Sequence, residues 1–305
     1  MRHFIPVTTL IVLFMFGSSS ASSVDKTLSS VAETCRLIAA GRAVFDLDET
    51  CLYSEPLAHI LAGNEAVESA RQKRLHNGRN QVSARVIRHM MIDAILQQRT
   101  SGMHDPKQVV IIGAGMDTRA YRLALPGMNW FEVDQEEVIA LKESLLRKAG
   151  EDLTKASRIS MDLTLSSELA SMIENLEAAG FRRNAPTIFV LEGLLYYLSP
   201  SDIEQVLTAL PTVPGSVIVY SMINKALLDF VKSNVSNGKA SIVEGLFKSH
   251  LGHVSNIVPK LKDWKVVRMT SCQQGPNRFN LRVSTSKSRT LWDRRDEIIV
   301  EMIAV

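Results

Sequence analysis

The sequence predicts an α/β protein: a doubly wound parallel sheet preceded by an N-terminal helical cap. Three observations carry that prediction. Short apolar, β-branched runs alternate with helical stretches from Asp105 onward. The segment before Asp105 carries apolar residues at helical spacing. The first apolar run empties into a Gly-x-Gly turn, Gly113-Ala114-Gly115, where a parallel sheet places its ligand loop.

In chain order, the first segment differs from everything after it. Arg2 and His3 precede an apolar run at 4–16, and Gly17 opens a small-residue stretch through Ala21. A basic start, a dozen apolar residues and a small-residue tail are the marks of a signal or targeting segment over 1–22. The run is shorter than the roughly 20 apolar residues of a spanning helix. The expectation is therefore entry into the secretory route or an organelle, with no stable membrane span after leader removal, and a cytoplasmic place if the leader is not used. Residues 23–104 form the expected cap. Val31, Cys35, Ile38 and Ala39 share one helix face, and Ala84, Ile87, Met91, Ala94 and Ile95 share another. Ser54-Glu55-Pro56 and Asn77-Gly78 punctuate the segment.

Residues 105–305 form the expected ligand-binding domain. Strands are predicted at 109–112, 130–133, 159–161, 188–191 and 217–220, with helices at 135–148, 165–179 and 201–210. Two more strands are expected at 265–269 and 280–283, around the turn signal Gly275-Pro276-Asn277.

Composition narrows the function classes. With 46% hydrophobic and 22% charged residues, the 305-residue chain is neither disordered nor a polytopic membrane protein. A formal charge of +3 from 35 basic and 32 acidic residues argues against a nucleic-acid partner. Cys35, Cys51 and Cys272 offer no zinc spacing and no disulfide framework, although a Cys35–Cys51 bridge stays open.

Four motifs carry chemistry. Gly113 and Gly115 let a ligand approach the backbone at the end of the first strand. Thr118 stands where a dinucleotide fingerprint has its third glycine, which favours a smaller nucleoside ligand over a nicotinamide dinucleotide. Glu132 and Asp134 end the second strand and lie on one face by alternation; Asp134, the last residue, is nearer the crevice and suits a ribose diol. Asp162 and Leu163 close the third strand and suit an adenine ring, with helix capping as the rival role for Asp162. Glu192 follows the fourth strand, where a carboxylate meets a positive ligand group, and Tyr196 and Tyr197 add phenol donors. In the cap, Arg85 and Arg88 lie one turn apart, placed to grip a carboxylate. His59 and His89 have no partner at metal-ligand spacing, so no metal site is expected.

These residues together resemble the leucine carboxyl methyltransferase superfamily, in its bacterial-type branch of S-adenosylmethionine-dependent O-methyltransferases. The resemblance rests on the stretches 113–123, 131–135, 161–163 and 191–198, in the family's order and spacing, and on the cap stretch 54–63. It covers about 27–220 and weakens after Phe230. It implies a Rossmann-like methyltransferase sheet and S-adenosyl-L-methionine as cofactor. It also implies cofactor-binding roles for Arg88 (Arg85 as fallback), Gly113, Gly115, Asp134, Asp162, Leu163 and Glu192, and places Tyr197 on the substrate side. Tyr197 and Glu192 are the expected catalytic residues. The implied reaction is in-line displacement of a methyl group by an acceptor oxygen. No His or Asp base stands out, which tilts the acceptor, on a small molecule or a protein, towards a carboxyl group or an acidic hydroxyl, because an ordinary hydroxyl needs a base. Two rivals differ in class: a catalytically silent cofactor-binding or interaction protein, and an NAD(P)-dependent oxidoreductase.

Overall fold

Four consecutive β-branched residues, Val109 to Ile112, enter the interior as a strand buried on both faces. Val110 and Ile112 join the hydrophobic cluster on one side of the sheet, and Val109 and Ile111 join the cluster on the other. The computed structural model describes residues 30–46, 54–77, 84–101, 107–236, 246–272 and 295–305. In chain order it contains α1 (Ser30–Asp46), α2 (Pro56–Ala62), α3 (Asn64–Asn77), α4 (Ala84–Thr100), β1 (Lys107–Ile112), α5 (Arg119–Arg122), β2 (Met128–Asp134), α6 (Glu136–Lys148) and β3 (Ser157–Ser160). There follow α7 (Ser166–Ala170), α8 (Met172–Ala178), β4 (Thr187–Leu191), α9 (Pro200–Ala209), β5 (Val217–Ile223), α10 (Lys225–Ser236), α11 (Leu251–Ile257), β6 (Trp264–Ser271) and β7 (Glu297–Ala304).

The strands form one seven-stranded sheet in the order β3-β2-β1-β4-β5-β7-β6. β1 to β5 are parallel, and β7 runs antiparallel between β5 and β6. The chain moves outward from β1 to β3 and then places β4 on the other side of β1. The carboxyl ends of β1 and β4 therefore flank the switch point where open α/β sheets bind ligands. Because β7 is antiparallel, its first residue, Glu297, pairs with Ile223 at the carboxyl end of β5, on that same edge.

The doubly wound prediction holds, and each of the five expected parallel runs is a strand. Two details differ. The helix expected at 165–179 is broken at Ser171, whose hydroxyl donates back to the Glu168 carbonyl (2.9 Å) and separates α7 from α8. The last strand of the sheet is β7, which the sequence reading did not include; the expected strand at 280–283 and the turn at 275–277 lie outside the described residues, as do 1–22, Cys51 and Gly78. Cys35 and Cys272 are free thiols. Among the described residues no helix is long and apolar enough to cross a membrane.

The four N-terminal helices do two jobs. Met91, Ile92, Ile95 and Leu96 of α4 pack on Val109, Ile111, Ile188 and Val190, so α4 is a layer of the sheet itself. Ala39, Ala40 and Ala43 of α1 pack against Ala58, Leu61 and Ala62 of α2, beside Met116 and Leu146. Helices α7, α8, α9 and α11 cover the opposite face, where Leu176, Ile203, Val206 and Val254 meet Phe131 and Phe189.

Ile92 of α4 is fully buried against the sheet, whereas Ile60 on α2 is 40% exposed. Ile92→Ala is expected to lower unfolding free energy by about 2–5 kcal/mol, and Ile60→Ala by well under about 1 kcal/mol, in urea denaturation. Equal small losses would contradict the sheet-layer role of α4.

Candidate functional site

The turn after β1 is built on glycine because two of its residues have left-handed backbones. Gly113 has φ 70° and Gly115 φ 46°. A Cβ on Gly113 would lie 2.9 Å from Leu194 Cδ1, and one on Gly115 would lie 3.2 Å from Cys35 Sγ. The turn is fastened to the end of β2: the Gly113 and Ala114 amides donate to the Val133 carbonyl (2.8 and 3.1 Å), and the Gly115 amide donates to Asp134 Oδ2 (2.6 Å). Above it opens a cavity of about 320 Å³, within the usual range for small-molecule sites.

Gly113, Gly115, Asp134, Asp162, Leu163, Glu192, Arg88 and Tyr197 all line this cavity, so the structure brings the sequence-predicted residues together. It also separates the two β2 carboxylates. Glu132 is fully buried between Lys142 (2.8 Å) and Arg158 (3.0 Å) and is not part of the cavity wall. Asp134 lines the wall, with Oδ1 accepting from the Gln135 amide (2.8 Å). Burial pushes the Asp134 carboxyl upward, against the two backbone amides that favour its charged form. Asp162 accepts from the amide and hydroxyl of Thr164 (2.9 and 2.7 Å), while the N-cap of α7 is Leu165. Capping that helix is therefore not its role.

Beneath the cavity lies a buried ionic network that the sequence reading missed. Its hub is Arg119, with 0% exposure. Its guanidinium bonds Asp93 (2.7 Å), Asp117 and Glu192 (2.6 Å). Arg88 donates through Nε to Glu192 (2.9 Å) and through Nη1 to Glu297 (2.7 Å) and the Tyr196 hydroxyl (3.2 Å). Arg42 bonds Glu55 (2.8 Å) and the Met116 carbonyl (2.6 Å), and Thr118 donates to Glu55 (2.6 Å). Arg122 pairs with Asp93 (2.7 Å). The network thus ties α1, α2 and α4 to the loops after β1 and β4 and to β7.

His89, for which the sequence reading found no partner, lies 2.9 Å from Glu192 and 2.7 Å from Arg122. His89, Asp117 and Glu192 would form a plausible cation-ligand triad by distance, but the Arg119 guanidinium stands among them, 2.9 Å from His89 Nδ1. The position a metal would take is filled by a permanent organic cation. Arg85, the fallback carboxylate-binding residue, is exposed and is not part of the cavity wall; Arg88 is.

The titratable groups of the wall are fixed in character. Burial would raise Glu192, but His89, Arg119 and Arg88 outweigh it and hold the carboxyl well below the usual range. Burial lifts the Cys35 thiol to about 12 and Tyr196 to about 12, and drives Tyr197 further above an ordinary phenol. The two tyrosines, poorly separable in sequence, both line the cavity but differ in partners: Tyr196 is bonded to Arg88 and 4% exposed, while Tyr197 packs against its ring (centroids 4.8 Å). Phe247 packs on both rings (4.6 and 5.1 Å). A side chain on Gly193 (φ 69°) would fall 3.1 Å from Arg88 Nη2 and 3.3 Å from the Tyr196 hydroxyl, so this glycine lets Arg88 reach the wall.

Comparison with known proteins agrees with this geometry. Residues 36–210 match the family model for leucine carboxyl methyltransferase. A Mycobacterium avium protein, whose name proposes an S-adenosyl-L-methionine-dependent methyltransferase, is 31% identical over 242 residues, covering 73% of this chain and 74% of its own. A similarly named Mycolicibacterium smegmatis protein is 32% identical over 219 residues, 66% of this chain and 70% of its own. Among solved structures, a Thermobifida fusca protein described as a proposed methyltransferase shares the fold, with TM-score 0.56 and 13% identity, covering 88% of this chain and 94% of its own.

Two outcomes follow from the network. Arg119→Met strands Asp93, Asp117 and Glu192 and is expected to cost about 3–5 kcal/mol in urea unfolding. Asp117 is held at about 2, below its ordinary 3.8, by Arg119 acting against burial. Its stabilisation is complete above pH 3.8 and is lost as pH falls through about 2. Urea midpoints measured from pH 5 to pH 2 should therefore fall with acid, and Asp117→Asn should flatten that fall; an unchanged slope in the variant would contradict the pairing.

Proposed function

This chain belongs to the leucine carboxyl methyltransferase family, and on that footing we propose that it transfers a methyl group from S-adenosyl-L-methionine to an acceptor oxygen. The observation that carries the reading is the charge of the switch-point site. In the buried network four guanidiniums (Arg42, Arg88, Arg119, Arg122) meet five carboxylates (Glu55, Asp93, Asp117, Glu192, Glu297), one negative charge in excess, and on the wall above it Asp134 and Asp162 stand against one further cation, Lys248. The cofactor carries an ammonium, a sulfonium and a carboxylate, one positive charge in excess. The lining suits it as well: Leu194 and Cys35 close against the glycine turn where a Cβ would otherwise stand, and the wall runs from Asp134 to the apolar Met161 and Leu163.

When bound, the cofactor supplies an electrophilic methyl group for in-line displacement. Asp134, fixed by the Gly115 and Gln135 amides, accepts from the ribose hydroxyls. Asp162 and Leu163 frame the base. Arg88 meets the amino-acid carboxylate, and Glu192 meets the ammonium. Because Glu192 is held ionised by two arginines, its role is electrostatic and positional rather than that of a base. Tyr197 keeps its proton and donates a hydrogen bond to the acceptor. With Tyr197 and Cys35 protonated, His89 engaged by Glu192 and Arg122, and Asp134 and Asp162 given to the cofactor, no base is left for the acceptor among the described wall residues. An acceptor that arrives already ionised, a carboxylate on a small molecule or a protein, suits this wall best.

The oxidoreductase reading loses support at the loop. Thr118, where a third glycine would fall, is spent on Glu55, and the helix that follows, α5, has four residues. The apolar run at 4–16 supports a targeting role for the first 22 residues.

Calorimetry should show S-adenosylmethionine binding to the wild type, at least tenfold weaker binding to Asp134→Ala (about 1.4 kcal/mol), and near-unchanged binding to Tyr197→Phe. With labelled cofactor and a cell extract, Tyr197→Phe should methylate more slowly than the wild type. Absence of cofactor binding would overturn the reading; binding with no labelled product would favour a silent binding protein.

A further inference from the structure

The network beneath the cavity is negative, yet the wall carries a cation with no carboxylate partner among the described residues. Of the cations on the wall, Arg42 is bonded to Glu55, and Arg88 to Glu192 and Glu297. Lys248 alone has no carboxylate within ion-pair distance among the described residues, whereas Lys155, Lys225 and Lys260, elsewhere on the surface, each hold one. Its exposed side chain springs from a fixed root. The Lys248 and Ser249 amides both donate to the Tyr196 carbonyl (2.7 and 3.2 Å), and the Ser249 hydroxyl donates to the Leu198 carbonyl (2.7 Å). Phe247, one residue earlier, packs on Tyr196 and Tyr197. The Lys248 backbone is thus fixed beside the Tyr196–Tyr197 turn, while its side chain is exposed on the cavity wall. Two large apolar side chains on the same wall are also exposed: Val31 of α1 (36%) and Leu246 (43%). Water-facing aliphatic groups at the lip of a cavity are a surface for an apolar ligand body.

We propose that Lys248 is a specificity-determining residue, whose ammonium pairs with an anionic group on the acceptor while the acceptor's apolar body lies on Val31 and Leu246. The inference rests on the methyl-transfer reading and narrows it to amphipathic acids. The attraction is partly screened at the mouth, so it weakens with added salt. Lys248 selects the acceptor and takes no part in holding the cofactor.

The test is calorimetry on the full chain saturated with S-adenosylhomocysteine, titrated with hexanoate, decanoate, 3-phenylpropanoate, decan-1-ol and decylamine. The wild type should bind the carboxylates, decanoate more tightly than hexanoate, and the alcohol and amine at least tenfold more weakly than decanoate. Lys248→Met should lose at least tenfold in decanoate affinity and most of its salt dependence, and Lys248→Arg should stay within about threefold of the wild type. S-adenosylhomocysteine affinity should be unchanged in both variants, which also reports that they fold. Undiminished decanoate binding by Lys248→Met, decanol binding as tight as decanoate, equal binding of hexanoate and decanoate, or a loss of S-adenosylhomocysteine affinity would each overturn the proposal. So would a wild type that binds S-adenosylhomocysteine but no carboxylate. A wild type that fails to bind S-adenosylhomocysteine would overturn the methyl-transfer reading itself.

Discussion

A guanidinium with no solvent exposure cannot stand alone. Moving one charge into a protein interior costs several kcal/mol unless partners with good geometry surround it. Arg119 sits in that position at the bottom of the crevice, and most of the site is the set of answers to its charge. Asp117 answers from its own loop, Asp93 from α4 and Glu192 from the end of β4. Asp93 then engages Arg122, and Glu192 engages His89 and Arg88, while the other Asp117 oxygen accepts from the Arg119 amide. Arg88 in turn reaches Glu297, which only an antiparallel β7 brings to the carboxyl edge of the sheet.

The consequence is that the N-terminal helices and the sheet are one electrostatic object. α1 and α2 join through Arg42 and Glu55, and Glu55 receives the hydroxyl of Thr118 from the loop after β1. The wall of the cavity is therefore set before any ligand arrives, which is how a protein contributes to a reaction whose chemistry belongs to the cofactor. The glycine turn and Asp134 form a separate, smaller lock made of backbone amides. The two meet at Gly113–Asp117, where one end of the loop holds Asp134 and the other supplies Asp117 to Arg119.

How much of this was legible in the sequence follows from how each feature is encoded. Strands buried on both faces show as β-branched runs, so β1 to β5 could be read directly, and with them the Gly113, Gly115 and Asp134 positions. β7 was missed because Glu297 and Glu301 flank and interrupt its apolar residues. Both acids are buried and paired in the fold, Glu297 with Arg88 and Glu301 with Arg99, which no local pattern reveals. The run Ile298-Ile299-Val300 was the available signal. The ionic network was invisible for the same reason. Asp117, Arg119 and Arg122 look like a solvated helix start, and Arg88, His89 and Asp93 like a polar helix stripe, until the fold removes them from water. Lys248 lies in the stretch where family resemblance has already faded, so only the cavity identifies it.

The central claim is that Arg119 sets the cofactor site without touching the cofactor. Titrating S-adenosylmethionine into the wild type and Arg119→Lys, with circular dichroism to confirm a native fold, tests it most directly. Lysine keeps the charge but has one nitrogen where arginine offers a planar fork to three carboxylates. A folded Arg119→Lys that binds at least tenfold more weakly than the wild type is the predicted result; a folded variant with equal affinity would contradict it.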